Sequence, residues 1–166
     1  FAELRAEAER SARPAGGVAF PRGQGASFVL EVLRAWRWQQ SACPLEEGQT
    51  LPPLPSVPAG CAHLKLTSAT TGQPRWVVFT AEQLAADAEN IVATMGLRPD
   101  WPNVGAISLA HSYGFSNLIT PLLLHGIPLT SPNGQRPSNR RLPPRSAMRS
   151  STSPRKRLRS GSIFAR

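Results

Sequence analysis

The sequence predicts an α/β fold, a mostly parallel sheet with flanking helices, followed by a disordered basic tail. Three observations carry this. Short apolar runs alternate with helix-period stretches through residues 18–129, the pattern of successive βαβ units. One helix, beginning near residue 80, carries a full set of start and stop signals. Past residue 129 the apolar periodicity ends and charge of a single sign takes over.

That charge is local. The 166 residues carry 19 Lys+Arg against 10 Asp+Glu, a formal net charge of +9. Residues 1–129 hold nine of the bases and all ten acids, whereas residues 130–166 hold ten bases and no acid. The chain is therefore read as three parts: a piece of helix or linker over 1–17, an α/β domain over 18–129, and the tail over 130–166. Two cysteines in a chain of this length make no disulfide framework, so a reducing, cytoplasmic setting is expected. No apolar run approaches the twenty or so residues of a membrane span. The chain opens on Phe1 rather than Met, so its start is expected to be missing or processed.

Val18 to Phe20 is the first short strand, and Pro21-Arg22-Gly23-Gln24-Gly25 punctuates it as a turn. Ser27 is the candidate N-cap of a helix whose apolar stripe is Val29, Val32, Leu33 and Trp36. Ser41 to Cys43 extends before Pro44, which completes one βαβ unit. Residues 45–60 hold four prolines and two glycines and read as a surface loop. Cys43, Cys61 and His63 form no metal-ligand spacing, and the two thiols are expected to be buried and neutral. His63 carries no assignment from its spacing.

A strand ending near Leu66 and another from Trp76 to Phe79 flank a Ser/Thr/Gly loop. The next helix starts at Thr80, with Gln83 three residues on in capping-box register. Leu84, Ala88, Ile91, Val92 and Met95 form its apolar face, and Gly96 supplies the left-handed stop. After it, "VGAISLA" (104–110) reads as a strand, and "LITPLLLHG" as a helix capped by Ser116 or Asn117 with Pro121 near its first turn. His125 lies at the end of that helix, where it serves as a C-terminal charge or plain surface. Gly126 ends the helix, and Ile127 to Leu129 begins another strand. The half-built parallel sheet is expected to leave an edge and apolar helix faces uncovered.

The tail is Ser, Pro and Arg, and its five prolines interrupt any helix or central strand. It buries too little apolar surface to offset chain entropy, hence the expectation of disorder. Three origins remain open for it. It reads as GC-rich DNA translated out of frame, as a solvated native tail, or as a nucleic-acid-binding arm centred on Arg155-Lys156-Arg157.

The chemistry lies in "LTSATTGQPR". Thr67, Ser68, Thr70 and Thr71 place four hydroxyls within five positions, and Gly72, Pro74 and Arg75 follow. Hydroxyls and loop N–H groups donate to phosphate oxygens, a glycine lets the backbone approach, and a cation neutralises charge. It is not the G-x-x-x-x-G-K-S/T loop, since the leading glycine and the closing Lys-Ser/Thr are absent. A polar hairpin turn with surface threonines fits the same residues.

The stretch "LTSATTGQPRWVVFT" resembles the nucleotide-binding loop of the adenylate-forming (AMP-binding) superfamily, which includes acyl-CoA synthetases, luciferases and nonribosomal-peptide adenylation domains. That loop typically reads T-S-G-T-T-G-x-P-K-G-V. Thr67, Ser68, Thr70, Thr71, Gly72 and Pro74 match, while Arg75 stands where Lys is usual and Ala69 where Gly is. Trp76 replaces a second usual Gly, which is expected to put bulk beside the phosphates. "ISLAHSYGFSN" is similar to the same family's P-L-x-H-x-x-G segment, with His111 and Gly114 in register 36 residues after Arg75.

The resemblance implies that residues 18–129 are a partial N-terminal domain of an adenylate-forming enzyme. The implied activity is ATP-dependent activation of a carboxylic acid as an acyl-adenylate, then transfer to coenzyme A: an acid–thiol ligase. ATP and Mg²⁺ are the implied cofactors, with coenzyme A and the acid as substrates. By the same resemblance Thr67, Ser68, Thr70, Thr71, Gly72 and Arg75 hold the β- and γ-phosphates, and His111 shapes the carboxylate side. The interval from Pro44 to Leu66 is short for the family, as if a βα unit were missing. The family's Y-G-x-T-E-like segment, ribose-binding Asp, hinge and C-terminal catalytic Lys do not occur, so this chain is expected to be incomplete and inactive alone. A non-catalytic remnant and a nucleic-acid-binding protein acting through the tail are the alternatives.

Overall fold

The computed structural model describes residues 2–51, 53–67 and 75–130. The expected tail, apart from Thr130, lies outside them. Along the described chain the elements are α1 (Ala2–Arg10), β1 (Val18–Ala19), α2 (Ala26–Arg37), β2 (Ser41–Ala42), β3 (Cys61–Leu66), β4 (Trp76–Thr80), α3 (Ala81–Met95) and β5 (Asn103–Val104). A helical run follows: α4 (Ser112–Gly114), a π-helical stretch (Phe115–Ile119) and α5 (Thr120–His125), before β6 (Leu129–Thr130). This is the expected α/β architecture.

One sheet has the order β1-β2-β3-β4. β1 and β2 pair in parallel, as do β2 and β3, and β3 and β4 form an antiparallel hairpin. β2 reaches β3 through a connection without a helix, over the proline-rich segment. β5 and β6 form a second, parallel pair joined through the helical run. Thr130, counted with the tail by composition, is the last residue of that pair.

α2 buries Phe28, Val29, Val32 and Ala35. With Leu109, Phe115, Leu118 and Ile119 from the helical run and its approach, they make the larger core cluster. α1 docks Leu4 onto this cluster and buries Ala8. The smaller cluster, Cys43, Leu45, Cys61 and Leu64, covers the other part of the sheet together with Val18, Trp76 and Val78. Both thiols are buried, and burial together with the neighbouring Cys61 pushes the Cys43 thiol up to about 11. Both sit where a small apolar group packs.

Three local expectations are corrected. The α2 N-cap is Gly25 at φ 76°, not Ser27, whose hydroxyl donates to the Gln24 carbonyl instead. The strand expected over 104–110 ends at Val104, because Leu109 gives its N–H to the Gln24 side chain and His111 gives its own to Ser108. The last helix starts at Ser112, ahead of Ser116 and Asn117, and is capped by His111. Pro121 has no N–H to give the Asn117 carbonyl, and the Asn103 side-chain amide donates to that oxygen at 2.9 Å.

The α3 cap is as expected. The Thr80 hydroxyl accepts from Gln83 N at 3.3 Å, the Gln83 side chain accepts from Thr80 N at 3.0 Å, and Gly96 ends the helix at φ 62°. Thr80→Ala removes one of these bonds and is expected to lower stability by about 1 kcal/mol, read as a lowered midpoint in urea.

Some apolar side chains stand uncovered. Trp101, Val104 and Tyr113 are each more than half exposed. A cleft of about 920 Å³ opens beside β6, lined by Leu4, Val29, Ile107, Leu122 and Leu129.

Candidate functional site

β3 and β4 are joined through the Ser/Thr/Gly loop. Ser68, Thr70, Thr71 and Gly72 lie outside the described residues, and its two ends, Thr67 and Arg75, lie inside. The ends are clasped. Thr67 N donates to Arg75 O at 2.9 Å, the Thr67 hydroxyl donates to the same oxygen at 3.2 Å, and Arg75 N donates back to that hydroxyl at 3.1 Å. A threonine hydroxyl has one hydrogen. Here it is directed at the Arg75 carbonyl, so in this geometry Thr67 fastens the two ends of the loop together. The Arg75 side chain is exposed beside it.

Trp76 does not simply add bulk next to this loop. Its indole packs against the cluster of Cys43, Leu45 and Leu64, and its Nε1 donates to the Pro53 carbonyl at 3.3 Å. It anchors the proline-rich loop to the sheet.

A cleft of about 550 Å³ opens where β3 ends, and it brings Thr67 and His111 together. His63 and Lys65 from β3 and Glu46 and Gln49 from the connection after β2 also line it. The Glu46–Gln49 wall is built by an arginine that its position in a turn did not single out. The Arg22 guanidinium donates to the carbonyls of Glu46 and Gln49, each at 3.1 Å, and Glu46 N donates to the Gln49 side chain. These contacts span 24 and 27 residues. No local sequence signal marks them.

His111 is the N-cap of α4, exposed, with its Nδ1 accepting from Tyr113 N at 3.2 Å. With Nδ1 occupied as an acceptor, the neutral ring carries its hydrogen on Nε2 and is a donor there. Gly114, three residues on, is fully enclosed. A Cβ at this position would lie 1.9 Å from the Ser108 carbonyl oxygen.

His63 has no counterpart in the expectations from sequence. Its side chain is 5 % exposed and stacks on Phe115, with ring centroids 4.2 Å apart and planes at 13°. Burial, and after it the Lys65 ammonium, push its imidazole down to about 4, against a pull upward from the Ala42 backbone. The ring is therefore neutral near pH 7, and its Nδ1 has no hydrogen-bond partner.

Among the described residues no three His, Cys, Asp or Glu side chains group as a metal set would, and no helix is long and apolar enough to cross a membrane. The basic triplet Arg155-Lys156-Arg157 lies outside the described residues.

No family profile matches the sequence, and no curated protein does. Solved structures do match. ATP-bound MatB from Rhodopseudomonas palustris superposes with a TM-score of 0.62 at 15 % identity, over 77 % of this chain and 39 % of that one. The o-succinylbenzoate CoA synthetase MenE from Bacillus subtilis, in complex with its acyl-adenylate intermediate, gives 0.63 at 18 % identity, over 78 % and 48 %. A long-chain-fatty-acid-CoA ligase, FadD1 from Archaeoglobus fulgidus, gives 0.54 at 15 %, over 76 % and 37 %. At these identities the likeness is one of fold, and it is the fold that the resemblance implied. The chain spans less than half the length of each of these proteins.

Proposed function

We propose that this chain is the front part of an AMP-forming acid–thiol ligase and that its cleft is the phosphate and carboxylate side of the active site. The observation that carries this is the meeting of Thr67 and His111 in one cleft at the end of β3. Two segments singled out separately by sequence line that cleft together. The fold held in common with acid–CoA ligases supports the same reading.

In the reaction proposed for the whole protein, a carboxylate oxygen attacks the α-phosphorus of ATP. The bond to the β-phosphate bridge breaks, and pyrophosphate leaves with its electron pair. The thiol of coenzyme A then attacks the acyl carbon, AMP leaves, and the thiol proton passes to solvent. Charge gathers on the phosphates as the first bond breaks, which is where fixed donors lower the barrier. Ser68, Thr70, Thr71, Gly72 and Arg75 hold the β- and γ-phosphates, with Thr67 closing their loop. His111 donates from Nε2 to the carboxylate. Mg²⁺ enters with ATP.

The chain should bind ATP, measured by titration calorimetry. Thr71→Ala with Arg75→Ala removes a hydroxyl and a cation from the loop and is expected to weaken binding by about tenfold or more. Unchanged affinity in the double variant would overturn the assignment. Because the chain spans 39 % of MatB, a second reading is favoured for the chain alone. It binds ATP without turnover, which appears as binding with no ATP–pyrophosphate exchange.

A further inference from the structure

We propose that His63 is a positioning residue: its ring, stacked on Phe115, sets the separation between the end of β3, where the phosphate loop begins, and the turn that carries His111. The inference rests on the cleft being the ligand site. Cys61 pairs with Thr80 and His63 with Phe79, so Ala62 is an extra residue in β3, a bulge. A bulge leaves backbone groups without ladder partners, and the Trp36 indole donates to the Ala62 carbonyl at 3.0 Å. α2 thus holds the bulge in place from one side.

The consequence is where the next side chain goes. His63 is set between two rings, Phe79 at 5.7 Å and Phe115 at 4.2 Å, and Trp36 closes the group by meeting Phe115 edge-on at 6.2 Å. Phe115 follows Gly114 directly, and its N–H donates to the His111 carbonyl at 2.8 Å. His63 is four residues before Thr67 on the strand, and Phe115 four after His111 on the helix. The stack is therefore a cross-member between the two walls of the cleft. Removing the ring frees the His111 turn to move relative to the end of β3.

The test compares His63→Phe, which keeps a ring against Phe115, with His63→Leu, which fills the volume without one, and His63→Ala. Two measurements are made at pH 7. One is the affinity for ATP, and the other is hydrogen exchange of the Tyr113 amide, which bonds to His111 Nδ1. For His63→Phe, ATP affinity is expected within about threefold of the parent and Tyr113 exchange unchanged. For folded His63→Leu, ATP affinity is expected to fall by about tenfold, with faster Tyr113 exchange, and His63→Ala to fall at least as far. Parent-like affinity and exchange in a folded His63→Leu chain would overturn the proposal. Should His63→Ala not fold, the contrast between Phe and Leu decides alone. If the parent binds no ATP, the ligand reading fails, while Tyr113 exchange still reports whether the stack holds His111.

Discussion

Gly114→Ala is expected to lower stability by about 3 kcal/mol or more. The cause is space and not backbone freedom. Gly114 sits in ordinary helical geometry, φ −64° and ψ −41°, which alanine favours. The added methyl would stand 1.9 Å from the Ser108 carbonyl oxygen and 2.9 Å from its carbon, and backbone cannot rotate away as a side chain can. Relief requires α4 to lift off residues 108–109, which carry Leu109 into the larger core. Gly105→Ala is the control. Its new methyl would meet the ends of Leu129 and Leu118 at 3.1 and 3.4 Å, and those can turn. It is expected to cost less than about 1 kcal/mol. Urea denaturation at pH 7 separates the two, and equal midpoints would contradict this account of Gly114.

The second large effect is in pH. Free histidine titrates near 6.5, whereas His63 in the fold is held down to about 4. As pH falls through this interval the unfolded chain takes up a proton that the folded chain refuses, so folding weakens. The loss begins near pH 6.5 and reaches about 3 kcal/mol by pH 4, from about 1.4 kcal/mol per pKa unit. The groups around the ring decide whether it holds. Lys65 on the same strand opposes protonation, Phe79 and Phe115 on the packed elements do not titrate, and Glu46 and His111 share the cleft. His63→Phe removes the proton site and the unpartnered Nδ1 together. Its stability is expected to exceed the parent's at pH 7 and the gap to widen down to pH 4. Parallel curves for the two chains would exclude His63 as the source.

What sequence could reveal here follows from how far each signal reaches. The α3 cap was legible because Thr80, Gln83 and Gly96 act on their own helix within a few residues. The parallel pairings of β1 with β2 and of β5 with β6 follow from the alternation of strands and helices, whereas β2 reaches β3 with no helix between them. His111 and Gly114 were found by motif, but their reasons are not local: the turn at Ser108 determines both the cap and the missing Cβ. The strand expected over 104–110 failed because Gln24, far back in the chain, satisfies the Leu109 amide. His63 was invisible because a lone histidine in an apolar strand looks the same whether it packs, binds or titrates. Its meaning depends on Ala62 bulging and on Trp36 from another element receiving that carbonyl. Arg22 resembled turn punctuation for the same reason.

The clasp between Thr67 and Arg75 has an evolutionary consequence. Three hydrogen bonds close the hairpin before residues 68–74 begin, so the ladder of β3 and β4 does not depend on what lies between. Substitutions between the clasped ends are therefore expected to carry little penalty in the stability of the two strands. What lies between the clasped ends is in that sense exchangeable, and the scaffold beneath it can be inherited unchanged.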